Sequence, residues 1–207
     1  QSVVFEEAWT PAPRTRPSFR SSTTGRWPLQ ATSARTIGSV MRANGFSTGG
    51  FVANIQLAPQ LGFADGFDVW SYDNMADGDI QVDRTLDWLN DHADEDAFVF
   101  LHLMDPHIFY EAPEPWKDRF TNDSDRGGMK EKYNRWDILR MRREGKLSER
   151  QEKWMVGRYD GEIAYMDHQI SRLIQAVDKL PGKTMWIFHT DHGEEFFEHD
   201  SFEHNHS

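Results

Sequence analysis

Five of the nine histidines fall in the C-terminal run IFHTDHGEEFFEHDSFEHNHS, at His189, His192, His199, His204 and His206, among six carboxylates between Asp191 and Glu203. Such density is costly to bury unless a cation balances it. Within it, Asp191-His192-Gly193 offers one hard oxygen and one borderline nitrogen directly after an apolar segment. That pair suits Zn²⁺ or Mn²⁺ and tolerates Ca²⁺ or Mg²⁺; a plain polar turn after a strand uses the same residue types. A second group is Met104-Asp105-Pro106-His107, followed by Tyr110 and EAPEP. Pro106 restrains the backbone, so His107 is presented on a rigid loop, suited to contacting an acid or anion. A third runs from Thr15-Arg16-Pro17-Ser18-Phe19-Arg20 to Thr24-Gly25-Arg26. Pro17 fits the first turn of a helix that stops at Gly25, which puts Thr15 at or before the N-cap. A hydroxyl there faces unpaired N–H groups and about half a positive elementary charge, an environment for sulfate, phosphate or a nucleophile's alkoxide. Ordinary N-capping by Thr is the simpler use of the same position.

The elements that must position these groups alternate between apolar runs and helical periodicity, the pattern of an α/β layer fold. Strands are expected at Gly50 to Asn54, Ala97 to Met104 and Thr184 to Thr190. The near-continuous apolarity of the last two predicts strands buried on both faces of a parallel sheet. His107 and Asp191 then follow strand ends, where ligands bind in open α/β sheets. Helices are expected over Thr36 to Asn44, stopped by Gly45, and over Ile80 to His92. The longest begins at Ser148, where Ser148 and Gln151 form a capping box, and ends at Leu180 before Pro181-Gly182. Met155, Tyr159, Ile163, Met166, Ile170, Leu173, Ile174 and Val177 predict its core stripe. Between Lys117 and Lys153 the character changes to an inserted basic helical excursion. Lys130 to Arg158 carries ten basic residues against five acidic ones, either a solvated helical cap or a patch for an anionic substrate.

Composition bounds the rest. With 207 residues and a formal net charge of −11, the chain can bury one substantial core, and its acidity argues against a general nucleic-acid-binding role while leaving local basic patches. No window approaches the ~20 apolar residues of a membrane span. The absence of Cys removes disulfides and thiolate chemistry, and fits a reducing compartment or a Cys-free exported protein. A start at Gln1 and an end inside the His-rich run lead us to expect both ends to be cut from a longer protein.

Taken in this order and spacing, the three groups resemble the sulfatase branch of the alkaline phosphatase superfamily. The family pattern of Cys or Ser, any residue, Pro-Ser-Arg and then Thr-Gly-Arg reads here as T-R-P-S-F-R-S-S-T-T-G-R. GFSTGGFVAN with GFADGFDVW, FVFLHLMDPHIFYEAPEPW, RYDGEIAYMDHQISRLIQAV and TDHGEEFFEHDSFEH are similar to its further segments, so that all but the basic excursion is covered. The resemblance implies a three-layer α/β/α sandwich with a central, mostly parallel sheet, truncated at both ends, residues 1–207 forming a partial catalytic domain. It also implies a divalent metal bound by Asp191, His192 and Thr15, with Thr15 as nucleophile, His107 on the ester group and His204 near the leaving-group side.

Three departures qualify the implied chemistry. Phe19 stands where the family has Arg, leaving Arg20 or Arg14 to supply a guanidinium to the substrate. Thr15 stands where the family oxidises Cys or Ser to formylglycine, and its methyl would leave a ketone, so it would act as an unmodified alcohol. Two Asp ligands that the family supplies upstream of the nucleophile are not in this sequence. The expected activity is metal-dependent hydrolysis of a small-molecule or glycan sulfate or phosphate ester. A phosphoryl-group transferase of the same superfamily, or a non-catalytic metal- or anion-binding relative, are the alternatives.

Overall fold

The computed structural model describes residues 2–31 and 33–204; His206 lies outside them. Three parallel strands, β1 (Ser47–Val52), β2 (Val69–Tyr72) and β3 (Ala97–His102), form an open sheet in the order β2-β1-β3. Register runs Gly49 opposite Val69 on one side of β1 and Val99 on the other. Residues alternate across the pleat, so β1 sends Val52 one way and Phe51 the other. Val52 joins Phe19 of α1 (Thr15–Thr24), Leu57 and Phe63 in one cluster, while Gly38 of α2 (Ile37–Ala43) abuts Phe67 on the same side. Phe51 meets Trp88 of α3 (Gly78–Asp91) at 6.2 Å between ring centroids on the opposite face. There Val82 of α3 and Leu101 of β3 pack with Leu173 and Val177. The result is an α/β fold with helices on both faces of a parallel sheet.

Helix boundaries follow local chemistry. Thr36 caps α2 through the Ser39 N–H, and the chain leaves at Gly45 with φ 88°. The Ser148/Gln151 capping box opens α5 (Glu149–Val177), 29 residues long. Before it lies α4 (Arg135–Arg143), capped by Asn134. The segment 117–153 supplies Met129, Tyr133 and Ile138 to a third cluster with Tyr110, Trp154, Met155, Phe197 and Phe202. The last two come from a small antiparallel hairpin, β4 (Glu195–Phe196) and β5 (Phe202–Glu203), and the turn between them.

Four expectations change. Residues 184–190 form no strand: they run extended, with Met185, Ile187 and Phe188 exposed at 85%, 74% and 62%, because apolar content cannot substitute for a neighbouring strand to pair with. β3 is mostly half-buried, since β1 covers only one of its edges among the described residues. The buried line of α5 keeps Met155, Leu173 and Val177 of the apolar stripe but departs from it between them. It passes through Arg158, Glu162, Tyr165 and Gln169, whereas Ile163 is 40% exposed, because polar side chains on this face tie down loops. Finally, α1 takes Arg14 as its N-cap residue, without a side-chain cap, and Thr15 is its first helical residue. The Thr15 hydroxyl is therefore directed to tertiary partners.

Candidate functional site

Three donors from distant parts of the chain converge at the start of α1. Thr15 Oγ1 lies 3.4 Å from His192 Nε2, and His192 Nε2 lies 3.3 Å from Asp191 Oδ2. His192 Nδ1 is 3.0 Å from the carbonyl of Gly193, the partner pattern that fixes an imidazole with Nε2 turned to a ligand. The Thr10 hydroxyl donates to the Asp191 carbonyl, and the Ser18 hydroxyl donates to Ala12 O at 2.7 Å, so the 10–12 segment ties α1 to the loop that carries Asp191. One carboxylate, one imidazole and one hydroxyl facing each other fit a divalent cation with oxygen and nitrogen ligands.

Beside this corner stands a histidine pair. The rings of His192 and His204 are 4.2 Å apart, and those of His204 and His107 5.5 Å. His204 Nδ1 sits 2.9 Å from Glu194 Oε1, and Glu194 Oε2 accepts from the Tyr110 hydroxyl at 3.0 Å. Burial lowers the His204 pKa, but the Glu194 hydrogen bond and the charges of Glu194, Glu203 and Asp191 outweigh it, so the net shift is upward from 6.5. The cation is thus favoured, which suits contact with an anionic ester. Glu203 moves upward because burial outweighs its attraction to His204. His107, Glu203 and His204 each offer a ligand atom, all within 4.8 Å of one another. Two donor groups therefore meet where the rings of His192 and His204 approach.

The loop carrying His107 is fastened to α5 rather than to the sheet. Glu162, 3% exposed, accepts the backbone N–H of His107 at 2.9 Å with one carboxylate oxygen and that of Glu111 at 2.5 Å with the other. One helical turn away, Arg158 donates through Nε to Tyr110 O at 3.0 Å and pairs with Asp118 at 3.2 Å. Burial, reinforced by the charge of Asp105, raises the Glu162 pKa to about 8, while burial takes Asp105 to about 6.

Of the residues singled out in the sequence, the structure brings Thr15, His107, Asp191, His192 and His204 together. Arg20 is turned elsewhere: its guanidinium donates to Leu61 O and lies 4.6 Å over the Phe63 ring. Phe19 is buried in the core, with ring contacts to Phe100, His102 and His189. Sequence reasoning named Tyr110 beside His107 without giving it a role, and missed Glu194, Arg158 and Glu162 as organisers of the site. Only the i, i+4 spacing of Arg158 and Glu162 within an apolar helix hinted at a buried pair.

No curated protein matched the chain in a sequence search. The family model described as Sulfatase matches residues 1–207, the whole of the chain. Members of that family hydrolyse sulfate esters and use divalent metals. An α/β sheet with histidines, carboxylates and a hydroxyl gathered from its loops is in keeping with that chemistry, and the chain belongs to the sulfatase family.

Proposed function

We propose that this protein is a metal-dependent ester hydrolase in which the unmodified Thr15 hydroxyl is the nucleophile, acting on sulfate esters and, by the same route, on phosphate esters. The observation that carries the reading is the convergence of Thr15 Oγ1 with His192 Nε2 at 3.4 Å across 177 positions of sequence. Asp191, His192 and Thr15 would hold the cation, which when bound would lower the hydroxyl pKa and draw charge from the ester oxygens. Thr15 gives its proton to solvent water and Oγ1 bonds to sulfur or phosphorus, while the bond from that centre to the alcohol oxygen breaks. The raised pKa of His204 supports its role in delivering a proton to the departing alcohol oxygen. His107, fixed through Nδ1 at 2.8 Å from Ile108 O, contacts the ester group. Water then attacks the Thr15 ester and regenerates the hydroxyl. Phosphoryl transfer to an acceptor alcohol forms a second reading, favoured by the alcohol at position 15 itself.

Turnover of 4-nitrophenyl sulfate, 4-nitrophenyl phosphate and bis(4-nitrophenyl) phosphate by the wild type, Thr15→Ser and Thr15→Val, each with and without EDTA, tests the proposal. Thr15→Val should lower turnover at least a hundredfold with the fold intact by circular dichroism, Thr15→Ser should retain part of it, and EDTA should abolish it. A Thr15→Val variant that works at the wild-type rate removes Thr15 from the mechanism. No turnover of any ester by the metal-loaded wild type favours a non-catalytic binding role.

A further inference from the structure

A cleft of about 330 Å³ opens beside the histidine pair, lined by Ile108, Phe109, Asn134, Arg135, Trp136 and Glu203. Two of its walls belong to the site already described: Ile108 and Phe109 follow His107, and Glu203 precedes His204. The third is the N-terminal end of α4, inside the basic segment whose role the sequence left open. Phe109 and Trp136 are 39% and 72% exposed, an arrangement in which two aromatic faces stand in water at the mouth of a cleft.

Arg135 is the unusual member. Six of the ten basic residues between Lys130 and Arg158 are ion-paired: Arg140 with Asp137, Arg142 with Glu152, Lys132 with Glu111, Lys146 with Glu144, Arg150 with Asp125 and Arg158 with Asp118. Arg135 makes no ion pair with any carboxylate among the described residues. Its contacts are neutral, to Ser201 Oγ at 3.1 Å and His204 O at 3.5 Å, and its buried Nε has no partner. The guanidinium lies 5.3 Å over the Trp136 ring, which holds it beside the aromatic wall. Glu203, in the lining of the same cleft, feels the Arg135 charge without a direct ion pair, so the guanidinium keeps hydrogen-bonding capacity for an anion that enters beside His107 and His204.

We propose that Arg135 and Trp136 form a specificity subsite for the alcohol part of the ester: Trp136 and Phe109 take a ring, and Arg135 pairs with a second anionic group on that ring, distinct from the ester being cleaved. The proposal rests on the ester-hydrolase reading, and selects among its substrates those with two negative groups. Glu203, in the lining of the same cleft, disfavours a second anion placed away from Arg135.

Two matched pairs of probes test it. One is 4-nitrophenyl sulfate against its 3-carboxy analogue; the other is a disaccharide whose only charge is its sulfate ester against the same compound bearing a uronic carboxylate. In the wild type, kcat/KM for the carboxylated member should exceed that for its partner at least tenfold in one pair, and which pair responds identifies an aryl or a sugar ring. Arg135→Ala should bring that ratio close to one, with Arg135→Lys intermediate, and Trp136→Ala should reduce kcat/KM for the carboxylated member mainly through KM. A wild-type ratio near one in both pairs, or a ratio unmoved by Arg135→Ala, overturns the subsite. If no ester is turned over, calorimetric binding of the same carboxylated esters decides the matter independently: a tenfold weaker Kd in Arg135→Ala supports the subsite and equal affinity refutes it.

Discussion

His102 ends β3 as a buried imidazole, 5.3 Å from the ring of Phe19, and its Nδ1 has no hydrogen-bond partner among the described residues. Burial takes its pKa down to about 4, against the pull of the Asp191 charge. An unfolded histidine titrates near 6.5, so between these values the unfolded chain binds more protons and stability rises with pH. The neutral ring's contribution is complete above pH ~6.5 and is lost as pH falls towards 4, a difference on the order of 3 kcal/mol. Asp105 and Glu162, raised to about 6 and about 8 mainly by burial, act in the opposite sense, because their contribution is lost as pH rises. The urea midpoint of the wild type minus that of His102→Gln should therefore decline on acidification through this window; a constant difference would assign the titration to other groups. Thr15, Asp191 and His192 were legible from sequence because their chemistry is carried by type and neighbours in the chain. His102 was not, since one polar letter inside an apolar strand does not reveal whether its ring meets water.

Helix α5 shows the same division between what a pattern reveals and what it hides. Its start was legible because the Ser148/Gln151 capping box is local, and the α2 cap at Thr36 was equally so. Its buried face was not, because the loop covering it approaches by backbone. A Cβ added at Gly161 would stand 2.6 Å from the carbonyl oxygen of Trp116, and one at Gly157 2.8 Å from that of Phe120. Alanine gains about 1 kcal/mol of helix propensity over glycine, but overpacking against a carbonyl costs about 1–3 kcal/mol. Gly161→Ala should therefore lower the thermal midpoint and loosen the 116–121 loop to proteolysis. A raised midpoint with unchanged cleavage would mean that the loop does not pack tightly on α5. Short strand β2 escaped notice for a related reason: four residues, V-W-S-Y, are too few for alternation to register.

At the scale of the molecule, the sheet has three strands and the apolar segment 184–190 lies outside it. Unpaired extended backbone bearing Met185, Ile187 and Phe188 in water is a template for pairing with a second copy. The net charge of −11 opposes that pairing, and salt screens it, with a Debye length of about 10 Å at 0.1 M. Sedimentation of the 207-residue chain should thus show association that grows with sodium chloride and is suppressed in Ile187→Lys. A wild type that stays monomeric at high salt would show that this segment is not adhesive.

The fastening of the His107 loop to α5 has a mechanical consequence. At about 1.5 Å per residue, the 29-residue helix is a rod of roughly 43 Å. Trp154 and Met155 near one end lock it to α4 and the hairpin, and Leu173 and Val177 near the other lock it to α3. His107 and the Arg135 wall are therefore both held through α5, on one face of the sheet, whereas Thr15 is carried by α1 on the other. The spacing of His107 from Arg135 is thus set by one group of contacts along α5, and the gap from both to Thr15 by the packing of helices across the sheet.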